Sequence, residues 1–243
     1  TYIASDVTAS TTWTAAGSPY VIQADVDVLD NSVLTIQAGV TVAFDGAYIF
    51  ETVDGSAIVA AGTEADPILF TSNAPTPAPG DWRWLQVHGG TPSSFTHCIF
   101  EYGEYGLRPN SAAPTISHCT VRHCSSSGIF VAGASPVITY CDIHHCRDGI
   151  AVSHNSSAPT VNFCNIHDNT HWNVYVMAFA APLVVIDMEN NWWGTADPEA
   201  IAQEINDSLD HADLYATIDF EPWAGAVPAV SLSWSGLKAL FGR

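Results

Sequence analysis

Basic side chains are scarce: 6 lysines and arginines stand against 25 aspartates and glutamates in 243 residues, a formal net charge of -19. A surface of that sign repels phosphate backbones and anionic lipid headgroups, which excludes nucleic acid as a partner. Charge of either sign is thin, at 13%, so solubility rests on Ser, Thr, Asn and the carboxylates, a composition common on extracellular surfaces. No apolar run approaches the roughly 20 residues that a membrane helix needs. Neither an initiator methionine nor a positively charged leader opens the chain at Thr1, and the expectation is a mature protein that is secreted, extracellular or held at the cell surface. Sequons at Asn155 and Asn206 agree with this, although they arise by chance at such a length. Also missing are Gly-x-Ser-x-Gly, phosphate-binding loops and His-Glu-x-x-His. What is abundant is apolar: 47% of the residues are hydrophobic and 11% aromatic, enough to bury a sizeable core.

One sentence is written three times. "PTISHCTVRHC" starts at Pro114, "SPVITYCDIHHC" at Ser135 and "APTVNFCNIHDN" at Ala158. Pro114, Pro136, Pro159 and Pro182 form a column with spacings of 22, 23 and 23, and Cys98, Cys119, Cys141, Cys164 and then Asp187 form a second. Within one copy Ile116, Cys119 and Val121 alternate with Ser117, Thr120 and Arg122, the two-residue period of a strand, with a slip at 117–118 that a bend absorbs. Strands this short, with no helical pattern between them, do not fit strand–helix–strand units, whose crossovers need a dozen residues or more. They fit a parallel solenoid whose coils stack about 4.8 Å apart. The N-terminal half follows the same logic in "SVLTIQAGVTVAFDG", "AIVAAGTEADPILFTSN" and "DWRWLQVHGG", short Val/Ile/Leu strands between Gly, Pro, Asp and Asn turns.

The marks "LTIQAGVTVAF", "GTEADPILFTSN", "GDWRW", "CTVRHCSSSGI", "CDIHHCRDGI" and "NNWWGTADPEAI", spread over about residues 18–223, resemble those of secreted bacterial right-handed parallel β-helix proteins, the pectin-lyase-like repeat proteins. The resemblance implies an all-β fold, a single right-handed parallel β-helix solenoid of about seven to eight coils with a short C-terminal capping helix. Its parts would be an N-terminal cap strand at 1–19, coils at 20–193, and a C-terminal cap with a short helix and last strand at 194–223. A linker and tail peptide would occupy 224–243, where "SLSWSGLKALFGR" resembles a C-terminal peptide of exported bacterial proteins. Function follows weakly, because this architecture hosts lyases, hydrolases, epimerases, adhesins and fibres.

Cysteines and histidines invite a zinc reading that the spacing discourages. Cys119 and Cys124 are five residues apart, roughly 16 Å along a strand that rises about 3.3 Å per residue, too far for one tetrahedral chelate. The cysteines that meet are vertical neighbours, read here as a stack of buried thiols acting as small core hydrophobes. Cys124 over Cys146 is the candidate disulfide, its torsion made awkward by parallel Cβ vectors. In the resembled family that corner usually holds an asparagine ladder, from which both cysteines depart.

Three outward columns run along the same strands: His97, His118, Tyr140 and Phe163; Ile99, Thr120, Asp142 and Asn165; Glu101, Arg122, His144 and His167. His144 and His167 with Asp142 are candidate ligands for copper or zinc, against the alternative of a solvated histidine ladder. His118, Tyr140 and Phe163 are candidates for stacking on sugar rings, against plain cross-strand packing. A glycosidase needs two carboxyl groups within about 5–9.5 Å, and Asp142 and Glu101 lie two coils and one position apart. No resident cofactor is expected, with calcium the ion that the acidic surface would attract. The expected function is a secreted, non-catalytic structural or adhesive protein, with end-to-end stacking into fibres as its homo-oligomer. The alternatives are a carbohydrate-active lyase or epimerase or a polysaccharide-binding module, and a copper or zinc binder.

Overall fold

A computed structural model describes residues 1–224 except 54, 181 and 212. The expected linker and tail therefore lie outside the described residues, apart from Ala224. Each coil runs through three strands. Thr115–Ser117, Thr120–Arg122 and Ser127–Ala132 make one coil; Val137–Thr139, Asp142–His144 and Asp148–Ser153 the next; Thr160–Asn162, Asn165–His167 and Trp172–Met177 the one after. We call the three resulting stacks sheets I, II and III in that order; they hold seven, eight and eight strands. Every strand pair among the described residues is parallel and joins residues one coil apart: Ile116 faces Ile138 and then Val161, Val121 faces Ile143 and then Ile166, and Ile129 faces Ile150 and then Val174. The chain is thus an all-β parallel solenoid of about eight coils with little helix.

The bend at 117–118 has a specific cause. Between sheets I and II one residue per coil takes the left-handed conformation: His97, His118, Tyr140, Phe163 and Asn190, with φ from 49° to 59°. Tyr102, His123, His145 and Asp168 do the same between sheets II and III. Bulky side chains pay about 1–3 kcal/mol for such backbone, and here the rings recover some of it by stacking on one another. His97 to His118, His118 to Tyr140 and Tyr140 to Phe163 have centroid distances of 4.9, 5.1 and 5.5 Å.

Between sheets I and II the residue after the left-handed corner is buried, and Cys119, Cys164 and Asn191 there repair the interrupted hydrogen-bond ladder. Sγ of Cys119 accepts the Cys98 amide and Sγ of Cys164 accepts the Cys141 amide, both at 3.4 Å. Each thiol also reaches a carbonyl of the preceding coil, Cys119 to Phe95, Cys141 to Ile116 and Cys164 to Ile138, at 3.6–3.7 Å. Asn191 forms the last rung: its Oδ1 accepts the Cys164 amide at 2.8 Å and its Nδ2 donates to the Val161 carbonyl at 2.7 Å. The thiols therefore do the work of asparagine amides, and are more than small hydrophobes. The rung below Cys164 is Asn191, not Asp187, because an insertion lengthens that coil; Asp187 ends the strand Val184–Asp187, which pairs with Ala216–Asp219 in a separate two-stranded sheet.

Inside, the columns are nearly dry. Phe70 and Phe100 stack at 4.7 Å with planes 4° apart, continuing through Val121, Ile143 and Ile166, all fully buried. Each such side chain contributes about 1.5–3 kcal/mol of burial. Three successive coils enter sheet III on glycine, Gly106, Gly128 and Gly149, for lack of room: a Cβ on Gly128 would sit 2.8 Å from the Gly149 carbonyl and 3.1 Å from Cγ2 of Ile143.

Helix α1, Pro198–Gln203, covers the last coil as expected, with Asp197 as N-cap accepting from the Glu199 amide and Pro198 in the first turn. Ile201 is buried within it, but Ile205 has already left it to pair as a strand with Val174.

Candidate functional site

Along the corner between sheets I and II lies an open cleft of about 510 Å³, spanning five coils. Its walls are Glu64 and Pro67 on one coil, His97 and Ile99 on the next, His118 and Thr120, then Tyr140 and Asp142, with Asn165 at the end. The volume falls in the range of small-ligand sites, about 300–1,000 Å³, and the mixture of rings with a few hydrogen-bonding groups is typical of them. Two of the three expected glycan residues, His118 and Tyr140, line it. Phe163 does not; it stacks beyond Tyr140 and stays 38% exposed. The expected mode also changes. Ring planes in the column lie 13° to 30° apart at stacking distance, so neighbouring rings cover each other's faces and offer a ligand mainly their edges. His118 carries a buried Nδ1 without a partner, and burial, with His97 beside it, depresses its pKa below the ordinary histidine range. Glu64 and Thr63, from a coil with no cysteine to mark its register, were not legible as part of this wall.

The outer face of sheet II brings Asp142, His144 and His167 together, with His167 hydrogen-bonded to Asp142 and His144 to His145. Nε2 of His167 lies 3.2 Å from Asp142 and its Nδ1 lies 2.8 Å from Asp168, which the sequence pattern did not single out. Nε2 of His144 is 3.9 Å from Asp142, and its Nδ1 meets Nδ1 of His145 at 2.6 Å. The imidazoles of His144 and His167 stack at 5.5 Å, 11° from parallel, which sets their nitrogens side by side instead of converging about 2 Å from one centre. The copper or zinc expectation is therefore not met by this arrangement, and among the described residues no group of three His, Cys, Asp or Glu side chains is spaced to hold a metal ion. Hydrogen bonds to Asp142 and Asp168 raise the pKa of His167, whereas burial, with His145, His167 and Arg122 nearby, lowers that of His144 against the pull of Asp142. Glu101 is not available to form a carboxyl pair with Asp142: Arg122 holds its Oε2 at 2.7 and 2.9 Å and Thr71 its Oε1 at 2.9 Å.

All six cysteines are buried free thiols, Cys124 and Cys146 included, so the candidate disulfide is not formed. Burial pushes the pKa of Cys119, Cys141 and Cys164 well up, and at Cys124 the neighbouring Cys146 and burial act together. Protonated, inward thiols are neither nucleophiles nor metal ligands.

With this geometry in view, two family descriptions cover residues 5–192 between them. Residues 85–192 match the family described as right handed beta helix region, and residues 5–101 the family described as pectate-lyase like beta helix domain. No curated protein and no solved structure matches the chain. Fold and matches together define the class of protein, a right-handed parallel β-helix repeat protein.

Proposed function

We propose that this chain is a non-catalytic, adhesive β-helix working outside the cell, which holds a neutral oligosaccharide in the cleft beside His118 and Tyr140. The observation that carries the reading is the composition of the cleft wall. Hydrogen-bonding groups from several coils, Glu64 and then Thr120, Asp142 and Asn165 on three successive ones, line an extended channel, with ring edges on one side and no lysine or arginine in the lining. Regular polar groups suit a polyhydroxyl chain, and carboxylates without a counter-cation disfavour an anionic one. End-to-end growth into fibres would require α1 to leave the last coil, so self-association is read as secondary to lateral adhesion.

Isothermal titration of the full chain with neutral oligosaccharides of glucose, mannose and xylose tests this. At least one should bind, and Thr120→Val with Asp142→Asn should weaken it about tenfold, the loss of two modest hydrogen bonds. No binding across the panel would sink the reading. Release of unsaturated, ultraviolet-absorbing products from polygalacturonate or alginate would replace it with a lyase. That alternative is supported by the pectate-lyase like description alone, whose match at 5–101 leaves out Asp142, His144 and His167.

A further inference from the structure

Outward positions of sheet III carry a second arrangement, remote from the cleft. Gln86, Arg108 and Phe130 stand one above another on successive coils, two residues from Trp84 on the first of them. The Arg108 guanidinium carbon lies 4.9 Å from the Trp84 ring centre, 5.2 Å from that of Phe130 and 5.9 Å from that of Tyr105, and the Arg83 guanidinium lies 5.2 Å from the same indole.

Two features of this cluster are unusual for the molecule. Arg122 and Arg147 are tied to Glu101 and Asp148 at 2.7 and 2.9 Å, whereas Arg83 and Arg108 have no ion-pair partner among the described residues, in a chain of net charge -19. Moreover, of five buried side-chain polar atoms without a hydrogen bond among the described residues, three lie here: Nε1 of Trp84, Oε1 of Gln86 and Nε of Arg108. Buried polar atoms are rarely left unpaired, and a concentration of them calls for a partner. Stacking on rings occupies guanidinium faces and leaves edge N–H groups in the fork that suits an oxyanion.

We propose that this face of sheet III binds an acidic sugar, a hydroxylated ring bearing a carboxylate or sulfate. The oxyanion sits between Arg83 and Arg108, ring hydroxyls satisfy the indole N–H and the Gln86 carbonyl, and the aromatic side chains carry the apolar face of the sugar. Glu51, which holds Gln86 and His88 through its Oε2 at 2.7 and 3.4 Å, bounds the site on its N-terminal side and sets the orientation, since an anionic group is repelled there. The site is independent of the cleft and takes a ligand of opposite preference.

The test is affinity electrophoresis of the full chain in gels containing dextran sulfate, polygalacturonate or unsubstituted dextran, at about 0.15 M salt so that long-range repulsion is screened beyond about 8 Å. Retardation by at least one anionic gel and none by dextran is expected, with sulfate and carboxylate sources separated by which gel retards. The double variant Arg83→Gln, Arg108→Gln should weaken retardation at least about tenfold, as loss of two charge-assisted contacts requires, while Val137→Thr on sheet I changes nothing. Should the double variant fail to give the wild-type circular dichroism melt, Arg83→Gln alone, at an exposed position, decides with an expected loss of about threefold. Absence of retardation in both anionic gels, or affinity unchanged by removing the arginines, overturns the proposal.

Discussion

At the scale of single residues, the molecule solves one problem repeatedly: a left-handed corner strands a backbone amide, and the next side chain must accept it. Cysteine does so with sulfur at 3.4 Å where Asn191 does so with oxygen at 2.8 Å. Cys164→Ala should therefore cost about 1–3 kcal/mol, the range for orphaning a buried donor, and Cys164→Asn distinctly less, because the amide restores the acceptor. Urea denaturation of the two variants decides; the reverse order would mean that the thiol matters for packing alone. Histidines give this surface its pH response. His118, His123 and His144 have pKa values lowered chiefly by burial, so each contributes stability that is present above the ordinary 6.5 and is lost as pH falls through its depressed value. His167, raised mainly by its bond to Asp142, contributes stability that is present below 6.5 and is lost as pH rises through its raised value. The urea midpoint should fall on acidification from about pH 7 to pH 5, His144→Gln should flatten that fall, and His167→Gln should instead remove the decline on the alkaline side. Identical profiles for the two variants would contradict the assignment.

At the scale of elements, sheet III depends on its glycine entrances. Gly128→Ala places a methyl 2.8 Å from the Gly149 carbonyl, a backbone atom that cannot swing away, and should cost about 1–3 kcal/mol as overpacking; an unchanged thermal midpoint would show that the coils can slide apart. Coils and strands were legible because each copy restates the others: a proline, an alternating triplet and a cysteine recur until register is overdetermined. Corner conformations were not, since nothing in the letters His118 or Tyr140 announces positive φ. Asp187 was placed on the rung that Asn191 occupies because an insertion between Phe163 and Asn191 broke the period on which the alignment relied. The arginine cluster was missed for a related reason. Trp84 belongs to a coil without the cysteine marker, and its contact with Arg108 is vertical, between residues 24 positions apart.

At the scale of the whole molecule, a solenoid is a stack of near-identical interfaces whose ends must be covered. The C-terminal end is covered by α1, where Ile201 is fully buried against the last coil. Its hold is modest: the helix has six residues, capped by the Asp197 carboxylate at 3.0 Å from the Glu199 amide. Replacing Ile201 with aspartate buries a charge that has no partner there, which the helix escapes by undocking. Because coils interact only with their neighbours, the damage should stay local. Amides of 165–177 and 205–206 should lose hydrogen-exchange protection while those of 98–132 keep theirs. The uncovered cross-section is an unpaired parallel edge, a template for a second chain, so sedimentation should shift from monomer toward associated species as concentration rises. A variant that exchanges faster at the last coils yet stays monomeric would show that α1 serves local order without guarding the end. Uniform loss of protection along the chain would show instead that the coils fold as one cooperative unit.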